Sequence, residues 1–298
     1  MPKFASERGI ELFKKTFKKI SRGAKIHGLE WYLTVFGGLI IISVLILIVF
    51  ADKIAPYDPL DFVGDPFLKP GEQGFILGTD NLGRDILSRI IHGAKIVMSI
   101  SISATLFSAG VGIPLGLISG YFGGKFDRVL SLIMDSIYSF PGLILAIAMA
   151  AMLGPGILNI SIAIAVIYVP TYFRMVRSHV LSVKEELYVE AAKTLGASNA
   201  TIITRYIFPN VIASVAVIFS LNIADAILTE AGLSFLGLGI APPTPDWGLD
   251  LSKGKVFLPR GYWWIVTYPG LMISFVALGF TLLGEGLNEI LNPRLREG

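Results

Sequence analysis

Apolar and charged positions lie in long separate blocks along this chain rather than interleaved. Residues 31–51 carry no charge, and a run of that length can cross a hydrocarbon layer about 30 Å thick. It opens on Trp31-Tyr32, aromatics of the kind that settle at headgroup level. Residues 52–95 are polar and rich in Pro, Gly and Asp, which predicts a loop with a short helix rather than a crossing. Residues 96–124 form a second uncharged run. Residues 136–173 are uncharged for 38 positions; one helix of that length would reach about 57 Å, too long for a single pass. Gly154-Pro155-Gly156 supplies turn chemistry in its middle and predicts a hairpin between a third and a fourth span. Residues 174–205 are charged and helical in pattern, residues 206–224 make a fifth span, and residues 232–260 are rich in Gly and Pro. A sixth span, 261–284, is entered by Tyr262-Trp263-Trp264. The expected fold is an all-α integral membrane protein with six transmembrane helices.

Composition agrees: 53% of the 298 residues are hydrophobic and 16% charged, against about a quarter charged in soluble domains, and the mean hydropathy is +0.69. Six spans put both termini on one side. With the N-terminus inside, the inner segments hold 17 Lys/Arg and the outer segments 8, so the positive-inside rule makes both termini cytoplasmic. Eight of those bases lie in residues 1–30, a cytoplasmic flank of the first span rather than a nucleic-acid-binding arm or a cleaved signal. The organisation that follows is a basic segment 1–30, a first span 31–51, an external loop 52–95, a core 96–290 holding five spans, and a cytoplasmic tail 291–298.

Several chemistries are excluded. The chain has no cysteine, hence no disulfide, thiolate metal site or Cys nucleophile. His27, His92 and His179 are far apart and suggest no metal cluster. Gly124-Lys125 is not a phosphate loop, because position 119 is Ser and position 126 is Phe. No His-Glu-x-x-His or Gly-x-Ser-x-Gly occurs. Neither a catalytic residue, a metal site nor a cofactor is assigned to this chain.

Within 174–205, Ser182 with Glu185 fits a capping box. Val183, Leu187, Ala191 and Leu195 recur every four residues as one apolar stripe. Gly196 suits a left-handed helix end, Ser198 a second N-cap, and Pro209 the re-entry into the membrane. The element reads either as an amphipathic interfacial helix or as a projection that fits a groove on a partner. Gly112, Gly116, Gly120 and Gly124 also recur every four residues, a stripe for close helix packing within the chain or against a partner. Asp80 reads as an N-cap, with Arg84 and Asp85 fixing its loop. Residues 232–248 are too irregular to span and are expected to line or cap the outer mouth. Asp135 stands seven residues after Arg128 on the same face and reads as a structural pair or cap. Asp225 and Glu230, near the end of the fifth span, are functional candidates as intramembrane carboxylates. They could meet a substrate amino group, Ni²⁺ or a partner's Arg.

The run Glu190-Ala191-Ala192, then Gly196, then Ile207-Phe208-Pro209 resembles the EAA loop of ABC importer permeases. Gly78-Thr79-Asp80-Asn81-Leu82-Gly83-Arg84-Asp85, the stretch from Glu230 through Phe235 to Gly239 with Pro245-Asp246-Trp247-Gly248, and the tail Gly284-Glu285-Gly286-Leu287 with Asn292-Pro293-Arg294-Leu295 resemble the C-type permease of dipeptide, oligopeptide and nickel importers. Phe208 and Tyr206, where Leu and His are usual, and Glu285 and Asn292, where Asp is usual, depart from the pattern. The resemblance implies a type I ABC importer permease in the cytoplasmic (inner) membrane of a prokaryote. It also implies ATPase coupling through Leu187, Glu190, Ala191, Ala192, Gly196 and Pro209, and an external gate or loop at Asp80, Arg84, Asp85, Glu230, Phe235 and Trp247. The implied partners are a homologous B-type permease, two cytosolic ATPases that bind ATP and Mg, and an external substrate-binding protein. A self-sufficient secondary transporter would instead show internal repeats or several buried carboxylates; a purely structural subunit would leave the EAA-like loop unexplained.

Overall fold

A computed structural model describes residues 28–291. The basic segment up to residue 27, with His27, and the tail from Asn292 onward lie outside them. The helices of eight residues or more are α1 Leu29–Val49, α2 Ile86–Phe122, α3 Gly124–Tyr138, α4 Gly142–Leu153, α5 Ile157–Val183, α6 Leu187–Thr194, α7 Phe208–Phe235, α8 Trp247–Gly254 and α9 Trp264–Leu291. The described residues contain no strand, only one isolated bridge between Thr79 and Asp85. Five helices are long and apolar enough to cross a membrane: α1, α2, α5, α7 with the turn before it, and α9. The pair α3 and α4, bent by 90°, makes up to a sixth crossing.

The bundle is organised around α2 and α5. Contacts between them ascend together along both chains. Ser161 donates to the Ile100 carbonyl and Ser108 to the Ala165 carbonyl, and the faces of Gly112, Gly116 and Gly120 meet Val169, Phe173 and Arg177 in turn. The two helices therefore run parallel, and the chain between them must return to its starting side. A Cβ at Gly116 would stand 2.8 Å from the Phe173 carbonyl oxygen and 2.9 Å from Val176. The glycine stripe is thus spent within the chain, on the α2–α5 seam; Gly124, the last of its four members, opens α3 instead. On the far side of the bundle α1 lies on α9, where Gly37 and Gly279 allow the backbones to meet. Outward, α1 exposes Phe36, Leu39, Ile42, Leu45 and Ile46, a surface suited to lipid.

The third crossing differs from the straight helix that its apolar run suggests. α4 has 12 residues, about 18 Å, and cannot cross alone. The break falls at Ser139-Phe140-Pro141: Pro141 has no N–H to donate, and a residue preceding proline is steered out of the helical region. Gly154 and Gly156, at φ +79° and +138°, then turn the chain into α5.

Two helices overrun their apolar cores. α2 begins at Ile86, ten residues before the uncharged run, because the Asp85 carboxylate accepts from the Ser88 N–H at 2.8 Å and caps it there. Residues 86–95 therefore belong to a helix of 37 residues, about 55 Å long, rather than to the loop. α5 continues ten residues past Phe173 to Val183, its cations paired on α3: Arg174 with Asp135 at 2.6 Å and Arg177 with Asp127. Asp135 thus pairs across helices with Arg174, not with Arg128 along its own helix.

Candidate functional site

The chain presents two built ends, one at each end of α2. At the N-terminal end of α2, residues 55–85 and 236–263 form a plug, here termed the capped end. Gly78 and Gly83 hold φ +81° and +77°, and a Cβ at either would lie within 2.3 Å of a neighbouring carbonyl; only glycine fits the turn. Asp80 is not a helix cap. Its carboxylate accepts from the Leu82 and Arg84 N–H groups at 2.8 and 3.0 Å and from the Arg84 guanidinium at 2.6 Å, so it closes the turn while Asp85 caps α2. All three of Asp80, Arg84 and Asp85 are buried.

Arg89, which continues the sequence block that begins at Gly78 but has no role assigned there, is the main tie of this end. It is buried on α2 and forms a two-pronged pair with Asp250 of α8, at 2.6 and 3.1 Å, and donates to the Pro59 and Pro243 carbonyls. One guanidinium thus joins α2, α8 and both loops, the forked geometry for which arginine is suited. Burial raises the Asp250 carboxyl above its ordinary range although Arg89 beside it pulls the other way. No spacing in the sequence links positions 161 residues apart; only the fold reveals Asp250.

Trp247 is fully buried, and its indole N–H donates to the Ile90 carbonyl at 3.0 Å. Its ring occupies the space a side chain at Gly93 would need. Glu230, also fully buried, accepts from Ser234 at 2.8 Å and faces Asp246. Asp246 caps α8 by accepting from the Leu249 N–H at 2.8 Å. Phe235 stands half-buried at the end of α7 under the Lys255 ammonium, 4.1 Å from its ring centre. The structure therefore gathers Asp80, Arg84, Asp85, Glu230, Phe235 and Trp247 at one end of the bundle. It separates Glu230 from Asp225, which is exposed on the α7 surface.

The opposite end carries α6. Its N-terminus is Leu187, with Glu186 before it and no side-chain cap; Ser182 lies inside the last turn of α5 and is not a capping residue. The apolar stripe through Leu187 and Leu195 is not the face that packs on the bundle. Val189 and Ala192 turn inward, Val189 packing with Val176, Val180, Ile202 and Ile207. Leu187 and Leu195 are 81% and 87% exposed. A buried face at Val189 and Ala192, three residues apart, puts Leu187, Glu190, Ala191 and Leu195 on the free side. Gly196 ends the helix at φ +83°, its N–H bonded to the Lys193 carbonyl and the next N–H to the Ala192 carbonyl, a left-handed termination. Ser198 then caps the following turn by accepting from the Thr201 N–H at 3.2 Å. The chain winds through Ile202–Ile207 to Pro209 in the first turn of α7. Among the described residues no group of His, Asp and Glu could hold a metal ion.

Residues 112–297, from the glycine stripe to the tail, match the family of binding-protein-dependent transport system inner membrane components. The chain belongs to this family. Among relatives of this inner membrane component, the di/tripeptide transport system permease protein DppC of Pseudomonas aeruginosa is 39% identical over 267 residues, covering 87% of this chain and 88% of that one. The glutathione transport system permease proteins GsiD of Pectobacterium atrosepticum and Escherichia coli are 37% and 38% identical, covering 90% and 89% of this chain. The fold is shared with a chain of the inward-facing MetNI methionine ABC transporter, at a TM-score of 0.54 and 14% identity over 68% of this chain and 96% of that chain. The inner membrane component is thus a multi-pass ABC importer permease, and its relatives are permease subunits rather than enzymes.

Proposed function

We propose that this chain is the C-type permease of an ATP-driven importer of di- and oligopeptides, supplying half of the translocation path. The carrying observation is α6: a short helix held from within by Val189 and Ala192 while Leu187 and Leu195 stand free, in a chain 39% identical to a di/tripeptide permease. Apolar side chains exposed beyond the membrane-spanning segment need a partner groove. In this reading α6 and the Gly196 turn dock on a cytosolic ATPase, with Glu190 and Ala191 at the contact and Pro209 passing its movement to α7. Two such ATPases bind ATP and Mg; a homologous B-type permease completes the path. The termini are cytoplasmic, following the Lys/Arg distribution. The capped end then faces outward as gate and dock for a substrate-binding protein.

The test is the double variant Leu187→Ser/Leu195→Ser in the reconstituted complex. Its inserted amount and thermal stability should match wild type, while peptide uptake and binding-protein-stimulated ATPase activity are lost. Full uptake by this variant removes the coupling role. A second reading, glutathione as cargo, is favoured by the two relatives named for it. Supplying the same vesicles with Ala-Ala, glutathione and Ni²⁺ in turn identifies the cargo.

A further inference from the structure

α7 carries two carboxylates with opposite fates. Glu230 is enclosed in the capped end with Ser234 and Asp246. Asp225 is exposed, ten residues before the end of α7 and so about 15 Å inward along the helix. No ion pair to Asp225 occurs among the described residues. A carboxylate at that depth is costly against lipid and belongs on a polar path or a partner surface.

Thr229, one turn further along α7, shares a 3.1 Å hydrogen bond with the Tyr168 hydroxyl of α5. Deeper along the same α5–α7 seam, Asn222 lies beside Tyr172. The seam is therefore a polar band between two helices that are otherwise apolar there. An ammonium group has three N–H donors and no acceptor. The Asp225 carboxylate, one turn along α7 from the hydrogen-bonded Thr229 and Tyr168 hydroxyls, offers it acceptors. A single carboxylate also binds weakly enough to release what it attracts, as passage requires.

We propose that Asp225, with the Tyr168 and Thr229 hydroxyls, is the station in the translocation path that receives the N-terminal ammonium group of a peptide in transit. This rests on the peptide-import reading above and assigns a site within it. The test uses the complete transporter in vesicles with its binding protein and ATP, and Ala-Ala as probe. Asp225→Asn should assemble with every subunit but lower Ala-Ala uptake per ATP hydrolysed about tenfold. Asp225→Glu should recover most of it, and N-acetyl-Ala-Ala should not share the loss. Wild-type uptake by Asp225→Asn overturns the proposal, as does an equal fall for the acetylated peptide. Loss of the second permease from the purified Asp225→Asn complex also overturns it, by making Asp225 a subunit contact. Absence of peptide uptake by the wild type itself is a different result: it removes the import reading on which the site depends.

Discussion

The two ends of α2 solve opposite problems. At the capped end, charged groups are brought inside: Asp80, Arg84, Asp85, Arg89 and Glu230 are all buried, and each is tied to a named partner. At the other end, apolar groups are put outside: Leu187 and Leu195 are among the most exposed large side chains of the described residues. Buried charges tolerate no alternative arrangement, because a lost partner leaves a desolvated ion behind. Exposed leucines carry no such penalty and leave their helix able to engage something else. The contrast separates a plug that buries its charged groups from a helix whose apolar side chains stand free.

Variants can break this contrast, beginning with the strongest effect. Arg89→Met strands the Asp250 carboxylate and should cost about 3–5 kcal/mol, read as a fall in the thermal unfolding temperature of the purified complex or as failure of the chain to accumulate. Adding Asp250→Asn should recover part of that loss. An unchanged unfolding temperature in Arg89→Met would show that the plug does not depend on its central ion pair. Gly116→Leu comes next. A side chain there meets the Phe173 carbonyl and Val176, and overpacking of that kind should cost about 1–3 kcal/mol, again measured by thermal unfolding; indifference would mean that the α2–α5 seam can open. Gly196→Ala should cost about 1–2 kcal/mol through its left-handed backbone, concentrated at α6 and visible as faster amide exchange over residues 187–197. The smallest effect on stability, within about 0.5 kcal/mol, is expected for Leu187→Ser/Leu195→Ser, the variant that should nevertheless abolish uptake. Instability in that variant would make the two ends alike and remove the contrast.

Hydropathy alone located the apolar cores of the five long helices and of the bent α3–α4 pair, because lipid imposes one requirement on every lipid-facing residue and so leaves a continuous record in the sequence. It also placed the Gly154–Gly156 turn and the left-handed Gly196, whose conformations are local. The bend at Pro141 was legible in principle, since proline's missing donor is a local fact, but the apolar run hid it. Three features were decided only by the tertiary structure. Helix ends at Ile86 and Val183 lie among charged residues that become acceptable inside a helix once Asp250, Asp135 and Asp127 are folded against them. The inward face of α6 is chosen by Ile202 and Ile207 packing on Val189, not by the four-residue stripe, which ran through Leu187 and Leu195. That Asp225 and Glu230 do not share a face follows from their spacing of five residues, but which of them is enclosed depends on where α5, α8 and the loops close around α7. The sequence by itself determined which segments enter the membrane and to which family they belong; what each polar side chain meets there was decided by contacts between residues far apart in the chain, and a one-dimensional pattern holds no trace of those.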